Sequence, residues 1–346
     1  MAEGEDIKTI AGYASFLRGV LETKRAAFDS IQSGRPIPPS VIDDLIEAKD
    51  TLLSLPKEGD KYVLSSPSGK VFLTLRYILS EIEKDIIFLR DGEESLVEHL
   101  AALHPGFLEQ VRSVTDRLAD ETFGLYVTDR DGTINNYSEQ HAASIQSVYN
   151  AVFLHRFLSK VGKAMVLTAA PLQSTLDLCL LKPGDGLVFV GSKGREYDAG
   201  QGTVRSSFSE GQESLLEEVR KRIEELLGQE ENNVFGIIGS GFQVKCGQLT
   251  VARQDISGSI DPQASLSWLE RIEEVIAEID TGHELNVEDT GLDVEIILNA
   301  NAREPYDKGV GAKEAIERLD IHEEEVLCTG DTRSDVPLAA AFPGAT

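Results

Sequence analysis

At Gly124 the texture of the chain changes, and this change constrains the fold more than any other feature. Before it, apolar residues recur at threes and fours. After it, short β-rich runs alternate with helical stretches. Leu125-Tyr126-Val127-Thr128 is the first run, residues 164–167 form a second, and residues 186–190 open a third. Strands that alternate with helices must return to the same sheet edge by crossovers, which builds a mostly parallel sheet and an α/β class.

Upstream, Ile10, Tyr13, Phe16, Leu17, Val20 and Leu21 share one helical face, which stops near Gly34 and the punctuation of Pro36, Pro38 and Pro39. The same periodicity predicts helices over 39–55 and 71–89, the latter with Phe72, Leu75, Ile78, Leu79, Ile82 and Ile86 on one side, and shorter pieces up to Leu118. Residues 1–120 therefore read as an N-terminal all-α domain, a hairpin or small bundle. Downstream, the pattern predicts helices over 138–161, 214–227 and 265–278. It also predicts a hairpin of 242–246 with 249–253 across Gly247-Gln248, and a strand over 292–298. The expected organisation is an α/β core of residues 121–180 and 300–346 that carries an inserted α+β unit of residues 181–299.

Charge narrows the partners. Lys and Arg total 33 against 59 Asp and Glu, a formal net charge of −26 that repels nucleic-acid backbones and anionic membranes. No nucleic acid and no membrane is expected as a partner, and no apolar run approaches the length of a membrane span. An anionic substrate would need local cations. Cys179, Cys246 and Cys328 form no CxxC pair, so neither a disulfide framework nor a zinc site is expected, and a reducing cytoplasm fits. The acidic stretch of residues 1–6 has no basic n-region, which argues against a signal peptide.

Asp129-Arg130-Asp131-Gly132-Thr133 follows directly on the first strand. Carboxylates at i and i+2 beyond a strand end can converge in the crevice at the carboxyl edge of a parallel sheet. Asp129 can attack an electrophilic phosphorus, while Asp131 can protonate the leaving oxygen and later deprotonate a water. Gly132 permits a tight backbone and Thr133 can hold the loop. A plain Asp-Gly turn reads the same residues equally well. Three further elements tilt the balance. Thr168 closes the second strand with a hydroxyl; Asp307-Lys308-Gly309 opens a helix with a cation and backbone donors; and residues 326–329 lead into Gly330-Asp331 and Asp335. Asp129 and Asp331 together make a hard oxygen site that suits Mg²⁺.

In this order, Asp129-x-Asp131-Gly132-Thr133, Thr168, Lys308 and Gly330-Asp331-x-x-x-Asp335 resemble the four motifs of the haloacid dehalogenase (HAD) superfamily, over residues 124–346. The resemblance implies a HAD-like Rossmannoid core. It implies Asp129 as a nucleophile that forms an aspartyl-phosphate, Asp131 as general acid and base, and Thr168 and Lys308 as phosphate ligands. It further implies Mg²⁺ held by Asp129, the Asp131 carbonyl and Asp331, with Asp335 at the margin. Lys313, further into the same helix, is the rival lysine.

Some 140 residues separate Thr168 from Lys308, an interval that resembles the C2-type cap of HAD sugar-phosphate phosphatases. Within it, residues 191–196, 242–245, 249–253 and 294–296 are similar to signatures of trehalose-6-phosphate phosphatases. That similarity implies Lys193, Lys245 and Arg253 as cations for the substrate and Glu295 as acceptor of sugar hydroxyls; each also reads as an ordinary exposed strand residue. Ala169-Ala170 stands where that group has Gly-Arg, and Val251-Ala252 where it has His-Tyr. Only eleven residues follow Asp335, fewer than the family's further core strand needs, which implies a truncated chain or a sheet that closes differently. The implied activity is Mg²⁺-dependent hydrolysis of a sugar phosphate, trehalose 6-phosphate foremost, in the cytoplasm. Another sugar phosphate or phosphomutase chemistry is the enzymatic alternative. A regulatory or scaffolding protein acting through the N-terminal helices, or self-association through them, is the alternative of another class.

Overall fold

A computed structural model describes residues 7–66, 69–138, 140–229, 231–236, 238–255, 258, 260–299, 307–322 and 325–345. The acidic residues 1–6 and the expected core boundary at residue 300 lie outside them. The chain begins with α1 (Ile10–Gln32), where the Thr9 hydroxyl accepts from the Gly12 N–H at 3.0 Å, and α2 (Pro39–Leu53), where proline occupies the first helical position, the one that needs no donor.

The all-α expectation then gives way. Residues 57–73 form an antiparallel sheet of β1 (Lys57–Glu58), β2 (Lys61–Ser66) and β3 (Gly69–Leu73), with Tyr62 opposite Leu73 and Leu64 opposite Val71. Tyr62, Val63, Val71 and Phe72 are residues whose branched or aromatic side chains fit a pleated surface better than a helix. The third helix accordingly begins at Arg76 rather than at residue 71. It runs as α3 (Arg76–Asp91), followed by α4 (Glu93–Leu103) and α5 (Phe107–Leu118).

The α/β part opens with β4 (Phe123–Thr128). The single helix expected over 138–161 is shorter, a one-turn 3-10 segment at His141–Ala143 and then α6 (Val148–Leu158). Gln146 explains the difference: its N–H donates to the Leu178 carbonyl and its side-chain oxygen accepts from the Leu180 N–H, both at 3.0 Å, which ties the approach to α6 into tertiary contacts. The chain continues through β5 (Val161–Leu167), α7 (Leu172–Leu178), β6 (Leu187–Gly191), β7 (Glu196–Asp198) and β8 (Thr203–Arg205). Residues 187–205 were expected in the inserted unit, but β6 pairs in parallel with β5, and β7 and β8 extend the same sheet as an antiparallel edge.

The separate layer consists of α8 (Glu210–Leu227), β9 (Phe242–Lys245), β10 (Gln248–Ala252), α9 (Pro262–Ile279), β11 (Leu285–Asp289) and β12 (Asp293–Leu298). Its strands are antiparallel in the order β11-β12-β10-β9, and the expected hairpin across Gly247 is present. Leu249, Val251, Val294 and Ile296 meet Val219, Ile223, Trp268 and Ile272 of the two helices in a core of their own. The chain then returns through α10 (Lys308–Arg318), β13 (Val326–Thr329) and α11 (Val336–Ala341), and completes a six-stranded sheet of order β13-β4-β5-β6-β7-β8.

One apolar cluster runs without a break from Leu17, Leu45 and Ile82 of the N-terminal helices to Tyr126, Val152 and Phe189 of the α/β part. Each such side chain contributes about 1.5–3 kcal/mol on burial, so the N-terminal helices and one face of the sheet share a single core. The other face of the sheet is covered by α10 and α11 through Ala312, Ile316 and Leu338. Among the described residues no helix is long and apolar enough to cross a membrane.

Candidate active site

Three strands end together. Thr128 of β4 is in register with Thr329 of β13 and with Val166 of β5, so Asp129, Gly330-Asp331 and Thr168 all leave the sheet at its carboxyl edge. The Asp129 N–H donates to the Thr329 carbonyl at 3.0 Å, which locks the two acid-bearing loops side by side. Gly132, at a φ of 97°, makes their approach feasible: a Cβ there would overlap the Asp331 carboxylate.

Lys308 is the first residue of α10. Its ammonium donates to Asp129 Oδ1 at 2.6 Å and to Asp335 Oδ1 at 2.5 Å, and all three side chains are buried. The expected backbone donors of this helix start do not face the site. The Asp307 carboxylate already accepts from the N–H groups of Gly309 and Val310 at 2.9 and 3.0 Å, so the lysine alone presents positive charge. Lys313 lies instead over the Phe342 ring, 4.6 Å from its centroid.

The acids occupy different electrostatic settings. Burial pushes the Asp129 carboxyl above its usual range, against the pull of Lys308. Burial likewise raises Asp331, and Asp335 and Asp131 beside it add repulsion. Asp335 is held below the carboxylate range despite its burial, because it accepts from Lys308 and from the N–H and hydroxyl of Thr332. Burial would drive the proton off Lys308, but Asp129 and Asp335 hold it in place more firmly than usual. Oxygen atoms of Asp129, Asp331 and Asp335 lie within 4.8 Å of one another.

The Asp131 side chain stands apart from that group. Its Oδ1 accepts from Arg130 Nη1 at 2.5 Å and from the Ser144 hydroxyl at 2.7 Å. Burial opposes its ionisation, yet Arg130 and Ser144 keep it below the usual range. Thr133 donates to Asp129 Oδ2 at 3.3 Å, so it holds the acid itself rather than the loop. The Thr168 hydroxyl oxygen accepts from the Ala170 N–H at 3.1 Å, which leaves its proton for another acceptor.

The four-stranded sheet closes the cleft from the opposite side. A cavity of 290 Å³ is lined by Asp129, Asp131, Thr168, Lys308 and Asp331 below and by Gln243, Lys245, Thr250 and Glu295 above. Strand alternation sorts the upper residues. Lys245, Thr250 and Glu295 share the cleft face, whereas Leu249, Val251 and Val294 point at the helices. Lys245 is buried, which lowers its pKa to about 8, with Glu295 opposing the drop.

Two of the expected cap residues are placed differently. Arg253 donates to both carboxylate oxygens of Asp289, at 2.6 and 3.0 Å, and to the Ser265 hydroxyl, outside the cleft lining. Its odd number puts it in phase with Leu249 and Val251, a signal the sequence already carried. Lys193 donates to Glu295 at 2.8 Å and also lies outside the lining. Sequence reasoning missed Arg130, Ser144 and His141. Arg130 is fully buried behind Asp131, and His141 lines the cleft with its pKa lowered to about 4 by burial first and Arg130 second, so it is neutral at pH 7. These residues sit in an irregular stretch whose sequence has no period to read.

Acids from two parallel strand ends, a lysine at a helix start and an antiparallel layer over the crevice define an α/β protein with a capped, acid-and-lysine centre. Comparison with known proteins names its kin. The model of the family "Trehalose-6-phosphate phosphatase, C-terminal" matches residues 126–342, and the chain belongs to that family. It is 28% identical to an alpha,alpha-trehalose-phosphate synthase [UDP-forming] 2 of Aphelenchoides avenae, a match that covers 97% of this chain and 28% of that relative. It is 27% identical to a trehalose-phosphatase of Caenorhabditis briggsae, over 77% of this chain and 70% of the relative. The solved C-terminal domain of the C. albicans trehalose-6-phosphate phosphatase aligns at 15% identity with a TM-score of 0.46, covering 66% of this chain and 77% of that one. The chain thus spans less than a third of the synthase relative's length.

Proposed function

We propose that the chain is a phosphomonoester hydrolase of sugar phosphates, with trehalose 6-phosphate as the leading substrate. The observation that carries this reading is the contact of Lys308 with Asp129 and Asp335 at the carboxyl edge of the sheet, opposite a polar cap face, in a chain of this family. Asp129 is the nucleophile: its carboxylate attacks phosphorus and the sugar alcohol leaves. Asp131, in its protonated form, donates the proton to that alcohol oxygen, and as the carboxylate that Arg130 and Ser144 favour it then takes one from the water that cleaves the aspartyl-phosphate, which restores the acid. Lys308 and the free Thr168 proton offset charge on the transferring oxygens.

The donor set fits a divalent cation. Three carboxylates gathered within 4.8 Å, with Asp331 raised by burial and by its acidic neighbours, are short of positive charge, and all are hard oxygen ligands. Asp129, Asp331 and Asp335, with the Asp131 carbonyl, would hold Mg²⁺, which would supply further charge stabilisation to the phosphoryl group. We further propose the division of labour that follows: residues 123–205 and 307–341 carry the chemistry, and residues 210–298 select the sugar through Lys245 and Glu295.

The test is phosphate release across a panel of sugar phosphates with Mg²⁺, trehalose 6-phosphate included, with Asp129→Asn as control. Release that is lost in the variant supports the reading. An isomerised sugar phosphate without free phosphate would instead establish a mutase. A chain that is silent on every ester while it binds a protein through its N-terminal helices would replace catalysis by scaffolding.

A further inference from the structure

The N-terminal helices reach the chemistry through one carboxylate. Glu81 of α3 is 1% exposed, and both of its oxygens are engaged. Oε1 accepts from Lys84 and from the Asn136 side-chain amide, each at 2.6 Å. Oε2 accepts from the Ser147 hydroxyl and from the Tyr149 hydroxyl, the latter at 3.0 Å. Asn136 and Ser147 bracket the irregular segment between Gly132 and α6. Tyr77, one turn before Glu81, donates to the Ile145 carbonyl in the same segment at 2.8 Å. Inside the bracket sits Ser144, which donates to Asp131 Oδ1 at 2.7 Å and accepts from Arg130 Nη1 at 3.0 Å.

An irregular segment has no ladder of its own to fix it, so its geometry is set by whatever its ends bond to. Here Asn136 and Ser147 bond to a helix outside the α/β part, beside the bonds that Gln146 makes to residues 178 and 180 and Arg130 makes to Ser144. Burial would raise Glu81, but Lys84, Ser147 and Asn136 keep it ionised, as an acceptor of several donors must be. Neutralising the side chain would leave Lys84 buried and send donors against a donor.

We propose that Glu81 is a positioning residue for Asp131: through Asn136 and Ser147 it fixes the segment that carries Ser144, and Ser144 aims the proton-transferring carboxyl. This rests on the hydrolase reading above and extends it, since the N-terminal helices then belong to the working site. The consequence is specific to proton donation. A sugar alkoxide leaves phosphorus only with help from an acid, whereas p-nitrophenolate leaves unprotonated. A misaimed Asp131 therefore slows the first ester and spares the second, while general damage to the fold slows both alike.

The experiment measures kcat/KM, which reports steps up to formation of the phospho-enzyme, for trehalose 6-phosphate and p-nitrophenyl phosphate in the full chain with Mg²⁺. Glu81→Gln should lose about 10-fold or more on the sugar phosphate and less than about 3-fold on the aryl ester. Asn136→Ala, at an exposed position that leaves the core untouched, should show the same selectivity at smaller size, and it carries the test if the Glu81 variant does not fold. Equal losses on both esters, or no loss on either, overturn the role of Glu81 alone. A wild-type chain that cleaves neither ester overturns the hydrolase reading and this one with it.

Discussion

Lys308 Nζ lies 2.6 Å from Asp129 Oδ1 in a buried setting where no other cation side chain contacts Asp129 among the described residues. Lys308→Met should therefore do two things. Turnover should fall by about 100-fold or more, as one charge-stabilising donor is lost from the phosphoryl site. Stability at pH 7 should fall by about 3 kcal/mol, because Asp129 and Asp335 remain buried without their shared partner. Loss of Lys308 removes a cation that lowers the pKa of both acids, so both bind protons more readily than in the wild type and the deficit should shrink as pH falls. Urea unfolding of variant and wild type at pH 7 and pH 4.5 reads the difference; a pH-independent deficit would contradict this account.

Asp331 illustrates the opposite bargain. Partial desolvation and the nearby Asp335 raise its pKa, so its ionised form at pH 7 is mildly disfavoured in the absence of a cation. Asp331 is exposed, so solvent screens most of that repulsion. Asp331→Asn should raise stability in EDTA by no more than a few tenths of a kcal/mol, on the order of a weak surface pair, while it abolishes the proposed Mg²⁺-dependent activity. Mg²⁺ should raise the melting temperature of the wild type and leave that of the variant nearly unmoved. A variant that melts lower than wild type in EDTA would show that the Asp331 carboxylate stabilises the fold and would contradict this account.

The candidate site was legible in the sequence because each of the residues gathered there sits at the end of a regular element. Asp129, Thr168 and Asp331 follow apolar strand runs, and Lys308 follows a capping aspartate, so periodicity and spacing locate them before any coordinates do. The antiparallel layer was legible in part: the hairpin across Gly247 was evident, but β11, like β7 and β8 at the edge of the main sheet, is short or polar and carries no alternation strong enough to read. The strand at 69–73 overlaps the helix expected from residue 71 because Phe72, Leu75 and Ile78 also satisfy a helical spacing, and only the partner strand at 61–66 decides between the two. What supports Asp131 was not legible at all. Arg130 adjoins Asp131 in the motif, but nothing in its spacing says that its buried guanidinium turns onto that acid, and Ser144 and Glu81 come from separate stretches that only tertiary packing brings together.

Arg253 tests the alternation rule directly. It is engaged by Asp289 and Ser265 on the far side of the sheet from the cleft lining. Arg253→Ala should leave KM for the sugar phosphate within about 2-fold and cost about 1 kcal/mol of stability, the scale of a partly exposed bidentate pair. Lys245→Ala, by contrast, should raise KM about 10-fold, since it removes a charged donor from the cleft itself. Steady-state kinetics on both variants decides; a large KM effect from Arg253→Ala would mean that the cap rearranges to bring this residue inward.

Lys245 predicts an alkaline limb for the proposed hydrolysis. Burial first, and the nearby Lys193 against the pull of Glu295, bring its pKa to about 8. Below that value the ammonium offers charge-assisted hydrogen bonds to substrate hydroxyls, and above it the amine is neutral and binds more weakly. The value of kcat/KM for the sugar phosphate, which reports the free protein, should therefore decline as pH rises through about 8, and Lys245→Arg should abolish that decline. Stability should move the other way. The folded state surrenders this proton earlier than the unfolded chain does, so between pH of about 8 and the ordinary lysine value of about 10.4 the unfolded chain binds more protons and this group's contribution to stability grows. Activity that falls while this contribution rises is a signature that alkaline unfolding cannot produce, and paired kinetic and urea titrations of wild type and Lys245→Arg across that window separate the two.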